Sequence, residues 1–307
     1  MNLKSRFVGG MIGSAVGDAI GELAFRCESR ATLRAAIQAV DLLRYTDDTA
    51  MTLALAEVLI QLGQVEPQYL GDRFRAHYEH EPWRGYAAGP PTIFNYVARH
   101  GGRYIDAAQS LFGGWGSFGN GAAMRVSPIG LFFHGRDCYD PARLSSIPTH
   151  AHPVGVDGAA VIAQAVARAT EMDPREPFPL NDFLAEMQST ARTEPMREQL
   201  ELLGRLLEDA DMWLPFYVGL KLGGGVAAQE SVPFALYAFM RHPTSFEDCL
   251  FCAALHSSDR DTVAAMAGAI SGAYLGVEAI PAVWREKLEN RGHIERLALE
   301  LAAEATG

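Results

Sequence analysis

Cysteine is scarce in this chain: four in 307 residues, too few for a disulfide framework. Cys249 and Cys252 stand at Cys-x-x-Cys spacing, but no second pair completes a zinc site and no strand pattern precedes them. Within the apolar run Phe246 to Leu255 they read as buried thiols. Uninterrupted apolar stretches of about 18 residues are missing, so no membrane span is expected. Positive charge is in deficit, with 26 Lys and Arg against 37 Asp and Glu and a formal charge of -11. That balance argues against a nucleic-acid surface, which needs a basic footprint. Period-two, β-branched runs are few, which disfavours a sheet protein. No coiled-coil seam, fixed-period repeat or low-complexity tract appears, so a monomer is expected. Lys4 and Arg6 precede an apolar stretch, but Asp18 and Glu22 interrupt it and no Ala-x-Ala site follows. The expected location is therefore cytoplasmic.

Helical periodicity fills the space that strands leave. Apolar residues recur at helical spacing over 5–21, 49–63, 155–172, 196–211, 232–241, 262–275 and 283–303. The stretch 125–133 is apolar but interrupted by proline. With apolar residues at 49% and charged residues at 21%, a sizeable core is available, and the fold class is all-α. The first helix carries Gly9, Gly10, Gly13 and Gly17, each costing about 1 kcal/mol relative to alanine. Close approach of another helix, near a ligand or metal, would justify that cost. Prolines over 171–181 and Gly223-Gly224-Gly225 mark loops. Neither reads as a linker, because related acidic motifs lie on opposite sides of both, and 1–307 is read as one domain.

Those motifs are Thr46-Asp47-Asp48-Thr49 and Asp259-Arg260-Asp261-Thr262. Each stands where a polar loop gives way to a helical pattern, with Thr46 and Ser258 suited to be N-caps. Carboxylates in a first helical turn are ordinary, since the helix dipole stabilises them there. As a pair, however, the two strings offer four carboxylates and threonine hydroxyls, an all-oxygen set suited to hard cations such as Mg²⁺ or Mn²⁺. Brought together, four negative charges need counter-charge, which two divalent cations would supply.

Between the strings lies a glycine-dense segment, Gly113 to Arg125, in which backbone amides can approach phosphate oxygens. Phe112, Trp115 and Phe118 interleave aromatic surface with it, as a nucleotide would require; a flexible surface loop is the plainer alternative. His150 and His152 flank Ala151, either as a zinc pair, for which no cysteine is near in sequence, or more plainly as polar contacts at the start of the next helix.

In order and spacing, these motifs resemble the ADP-ribosylglycohydrolases, which include the enzymes reactivating ADP-ribosylated dinitrogenase reductase and the ADP-ribosyl-acceptor hydrolases. The resemblance runs through Gly17-Asp18-Ala19-Ile20-Gly21, Tyr45 to Met51, Gly116 to Gly121 with Ala123-Met124-Arg125, His150 to Pro153, Glu230 to Pro233, and Asp259 to Thr262. It implies a single-domain orthogonal helical bundle with two Mg²⁺ or Mn²⁺ ions, held by Thr46, Asp47, Asp48, Asp259, Asp261 and Thr262. Gly116, Ser117, Gly119, Asn120 and Gly121 would hold a pyrophosphate, with Phe112 and Phe118 near adenine and His150 near the nucleotide. The implied substrate is an ADP-ribosylated protein or another ADP-ribose conjugate, hydrolysed at ribose C1″ with Glu22, Asp48 and Asp261 in catalytic roles. Many relatives carry a glutamate where the spacing here places Phe25, with Glu22 earlier and Glu28 later. A catalytically weak or silent ADP-ribose-binding relative is the alternative.

Overall fold

The computed structural model describes residues 2–208 and 212–306. Among the described residues there are seventeen α-helices, two short 3₁₀ turns and no strand, so the all-α expectation holds. The expected helices appear as Leu3–Ala24, Asp47–Leu62, Pro153–Glu171, Glu194–Glu208, Ala228–Arg241 and Arg260–Leu275. Part of the expected stretch 196–211 lies outside the described residues.

One local expectation is corrected. The pattern over 283–303 is broken into Ala282–Lys287 and Arg291–Thr306. Leu288 turns extended to pair with Leu43, accompanied by Leu43 N–H donating to Lys287 O at 2.8 Å and Glu289 N–H to Leu43 O at 3.0 Å. Asn290 then takes a left-handed φ of 54°, a conformation asparagine tolerates better than most residues. The proline-interrupted stretch 125–133 contains the short helix Ser127–Phe132. Pro128 sits in its first turn, where a missing N–H costs nothing.

The most extensive helix contact joins the first helix, Leu3–Ala24, to Arg260–Leu275, running antiparallel. A Cβ on Gly13 would lie 2.2 Å from Gly268 O, and one on Gly17 2.1 Å from Ala264 O. The glycines therefore serve close backbone approach, as their cost required. The contact continues to Gly21, where a Cβ would meet Asp261 Cα at 2.4 Å. The stripe thus brings the second acidic string against the end of the first helix. Around this pair, the buried apolar residues form one continuous cluster from Phe7 to Ala302. All four cysteines are buried and free, as expected of core thiols.

Candidate functional site

Asp18 anchors the site. It is fully buried on the first helix and accepts hydrogen bonds from four donors of the first acidic string. Thr46 N–H reaches Oδ2 at 2.9 Å and Oδ1 at 3.1 Å, and the Thr46 hydroxyl donates to Oδ1 at 2.8 Å. Thr49 N–H and its hydroxyl donate to Oδ2 at 3.0 and 2.6 Å. One carboxylate therefore satisfies orphan donors at the start of Asp47–Leu62, a task usually left to the cap residue alone. Thr46 is nonetheless the N-cap, accepting from Asp48 N–H at 3.4 Å. The resemblance runs through Asp18, but a lone aspartate in an apolar helix gave no sign of this role; only contact with residue 46 reveals it.

The Thr46 hydroxyl has one hydrogen, and its shorter contact is to Asp18. One lone pair accepts from Asp48 N–H and the other is left facing the acidic cluster, where Asp48 Oδ2 stands 3.2 Å away. Asp48 Oδ1 is buried and has no hydrogen-bond partner among the described residues. Burial first, then mutual repulsion, pushes the neighbouring carboxyls upward. Asp47 rises to about 7, with Asp18 and Asp261 adding to burial, and Asp48 is raised well above the usual range by burial and the same neighbours. Asp259 rises to about 6, burial outweighing a hydrogen bond from Asn120. Such an assembly calls for positive charge.

The second string arrives with one difference from expectation. Asp259, not Ser258, is the cap residue of Arg260–Leu275, and no side chain caps that end. Ser258 N–H instead donates to Gly224 O at 2.9 Å, as does Asp259 N–H at 3.1 Å, so the Gly223–Gly225 turn fixes this approach. Asn120 joins the parts: its side-chain amide donates to Asp259 Oδ2 at 2.6 Å, tying the glycine segment to the second string.

The glycine segment begins with a kink. Phe112, Gly113 and Gly114 have φ of 52°, 72° and 93°, and Phe112 is 66% exposed. A left-handed phenylalanine costs on the order of 1–3 kcal/mol. Further on, Asn120 N–H donates to Val226 O at 2.9 Å and Ala228 N–H to Phe118 O at 3.0 Å. The N–H groups of Ser117 and Phe118 make no internal hydrogen bond among the described residues.

His150 closes the segment from beneath. A Cβ on Gly121 would lie 2.7 Å from its ring, so the glycine makes room for the imidazole. The fully buried Arg125 donates to Thr149 Oγ1 at 2.8 Å, and Thr149 Oγ1 lies 2.8 Å from His150 Nδ1. Because guanidinium only donates, the Thr149 hydrogen goes to Nδ1, its alternative acceptor, Ser146 O, being 3.5 Å away. This pattern assigns the imidazole proton to Nε2, the nitrogen nearest Gly119 and Gly121. Burial, with Arg125 adding, lowers the His150 pKa to about 3 and keeps the ring neutral.

Asp47, Asp48, Asp259, Asp261, Thr262, Ser117, Gly119, Asn120, Gly121, His150 and Phe112 line one cavity of about 370 Å³. Gly116 and Phe118 stand outside that lining. Gly116, at φ 73°, packs on Ala151 and His152, while the Phe118 ring meets His152 edge-on at 5.7 Å. His152 itself caps Pro153–Glu171 by accepting from Val154 N–H at 3.2 Å, the plainer of its two expected roles. Thr46 and Glu22 face a second cavity of about 510 Å³, which shares Asp47, Gly85 and Asp261 with the first. Glu22 is exposed, its pKa raised by partial burial and then by Asp261. Among the described residues no three His, Cys, Asp or Glu side chains are placed to hold a metal ion as they stand. The carboxylates border the cavity without converging on one point.

Comparison with known proteins agrees with these motifs. The family model described as ADP-ribosylglycohydrolase matches residues 1–307. The protein named ADP-ribosylhydrolase ARH3 from Mus musculus is 36% identical over 285 residues, covering 84% of this chain and 77% of that protein. The Homo sapiens protein of the same name is 33% identical, covering 86% and 80%. An Escherichia coli (strain K12) protein, YegU, described as uncharacterized, is 30% identical over 84% of this chain and 80% of its own. A solved structure titled ADP-ribosylglycohydrolase-related protein complex superposes with a TM-score of 0.73 at 25% identity, over 99% of both chains. This chain belongs to the ADP-ribosylglycohydrolase family.

Proposed function

We propose that the protein is a metal-dependent hydrolase that cleaves the bond between ribose C1″ and an acceptor atom, releasing ADP-ribose from modified side chains or related conjugates. The observation that carries this reading is one cavity bordered on one side by both acidic strings and on the other by the glycine segment and His150. The relatives named for ADP-ribosylhydrolase activity support it.

Two features fit the carboxylates to divalent cations: the buried Oδ1 of Asp48, unpartnered among the described residues, and the upward pKa shifts of Asp47, Asp48 and Asp259. Thr46, Asp47, Asp48, Asp259, Asp261 and Thr262 would hold two Mg²⁺ or Mn²⁺ ions, and binding requires these side chains to draw together. Such ions supply polarisation of ribose hydroxyls and stabilisation of charge at the reacting centre. The chain's own groups do the remaining work. The Ser117 amide, in the cavity lining, is available to pyrophosphate oxygens, and His150 offers Nε2–H as a neutral donor. Phe112 lines the cavity as an apolar surface for the base. In this reading Asp48 and Asp261 would orient the water that attacks C1″, and Glu22, whose pKa is raised by partial burial and then by Asp261, would protonate the leaving group.

Phe25 at the position the spacing reserves for glutamate, together with the exposure of Glu22, favours one second reading, a protein that binds ADP-ribose without turning conjugates over. Incubation with ADP-ribosylated arginine, ADP-ribosylated serine peptide and poly(ADP-ribose), with Mg²⁺ or with EDTA, separates the two by mass spectrometry. Metal-stimulated release of ADP-ribose from at least one conjugate is expected. Calorimetric ADP-ribose binding with no release from any conjugate would establish the second reading instead.

A further inference from the structure

The second cavity lacks the glycine segment and His150, yet it shares Asp47, Gly85 and Asp261 with the first. We propose that it is the acceptor cleft, which receives the peptide segment carrying the modified residue and favours an acidic residue beside that position. This inference rests on the hydrolase reading and adds the substrate class to it.

The placement comes from shared walls. Asp47, Gly85 and Asp261 border both cavities, so a conjugate with its nucleotide on the glycine segment has its scissile bond at the junction. The leaving group then projects into the second cavity, which Glu22 also lines. At about 510 Å³ this space exceeds what one side chain needs and suits a short stretch of chain. It contains no part of the glycine segment and so lacks that source of backbone donors for phosphate.

Its chemistry changes along its length. The inner end is acidic, with Glu22, Asp47 and Asp261. Trp83, 71% exposed, and Leu42, 40% exposed, give an apolar surface on which a peptide can lie. Arg26 and Arg44 also line the cleft. Arg44 is 74% exposed, and its ion-pair partner Glu289 is 3.9 Å away. Arg84, also in the lining, is different: it is buried and spends four of its five N–H donors on Glu81, Glu289 and Tyr45 O. Two accessible guanidiniums, Arg44 and Arg26 (the latter within charge range of Glu22), complement a peptide with an acidic flank.

The test compares conjugates that share ADP-ribose and differ in acceptor: a small alcohol, a modified peptide with Glu beside the attachment site, and the same peptide with Lys there. Wild-type enzyme should prefer the Glu peptide over the Lys peptide by about fivefold in kcat/KM. Trp83→Ala should lower the peptide-to-small-alcohol ratio of kcat/KM by about fivefold to tenfold, mainly through KM. Arg44→Glu, singly or with Arg26→Glu, should reverse the Glu-over-Lys preference. Ratios and preferences equal to wild type in all variants would overturn the acceptor cleft while leaving the hydrolase standing. Failure of the hydrolase reading looks different, since wild-type enzyme would then release ADP-ribose from none of the three.

Discussion

Replacing Asp18 with asparagine should separate metal affinity from folding. In the native arrangement the carboxylate accepts from Thr46 N–H, Thr46 Oγ1–H, Thr49 N–H and Thr49 Oγ1–H. Asparagine turned with its oxygen toward Thr49 keeps three of these donors, because Oδ2 is the atom that meets Thr46 N and both Thr49 groups. Its amide then faces Thr46 Oγ1 and must donate where the carboxylate accepted. Losing a hydrogen bond to a charged acceptor costs about 1.5–3 kcal/mol. Against this, the substitution removes a fully buried charge whose pKa burial raises to about 7, so the net change in stability should be small. The Thr46 oxygen fares worse: it spends a lone pair on the new donor and turns its hydrogen toward the acidic cluster. Loss of such an orienting partner typically weakens metal affinity about 10- to 100-fold, roughly 1.4–2.7 kcal/mol. Calorimetric titration with Mn²⁺, beside thermal melts followed by circular dichroism, reads both quantities. Wild-type Mn²⁺ affinity in a folded Asp18→Asn variant would refute the argument that Asp18 orients Thr46 for a cation.

Thr149→Val should free the His150 tautomer, shift its ¹⁵N resonances away from the Nε2–H pattern and weaken ADP-ribose binding, while Thr149→Ser should restore both. An unchanged spectrum in the valine variant would remove the relay. Gly13→Ala drives a Cβ to 2.2 Å from Gly268 O and should cost about 3 kcal/mol in urea unfolding, whereas Gly292→Ala, with nothing within 4 Å, should add about 0.5–1 kcal/mol. Equal effects would show that the glycine stripe is not a contact surface. Burial alone would raise Glu57, but hydrogen bonds and charge from His77 and Arg73 overcome it and hold the carboxyl at about 2. A depressed folded-state pKa gives stability that is complete above the unfolded value of 4.5 and is lost as pH falls toward 2. Up to about 3 kcal/mol should therefore disappear across that window. In Glu57→Gln the melting temperature should fall less steeply from pH 4.5 to 2.5, and a slope equal to wild type would contradict the pairing.

Helix identity was legible in the longest apolar-periodic stretches, because burial sets that pattern, whereas shorter amphipathic helices such as Arg30–Ala39 and Pro67–His80 went unread. It was less legible where tertiary pairing overrides periodicity. Nothing between Val283 and Ala303 announces the pairing of Leu288 with Leu43, which interrupts an otherwise continuous apolar period. Ser258 shows the same limit: its hydroxyl suits an N-cap, but Gly224 O fixes the backbone N–H groups of residues 258 and 259 and leaves Asp259 as the cap residue. Among the site residues, the acidic strings were visible because clustered oxygen donors are chemically unusual in so short a span. Asp18 was hidden because its partners lie 28 and 31 positions away, and Arg125 because a buried guanidinium serving Gly121 O, Ser145 O and Thr149 Oγ1 looks in sequence like any surface arginine.

The glycine stripe explains why these hidden partners can be held so closely. Residues with side chains at positions 13 and 17 would push the two longest-contacting helices apart, and Asp261 would withdraw from Asp18 and Glu22. The repulsion among the buried carboxyls acts in the same direction. Close packing along the whole length of Leu3–Ala24 therefore opposes electrostatic separation at one end, and the core contacts at Gly9 and Gly13 contribute to a site more than a helical turn away. An enlarging substitution at Gly13 should accordingly lower Mn²⁺ affinity as well as stability, although no atom of Gly13 lines either cavity. A Gly13 variant that loses stability yet binds Mn²⁺ like wild type would show instead that the acidic strings are assembled locally, through Asp18, Asn120 and the Gly224 turn alone.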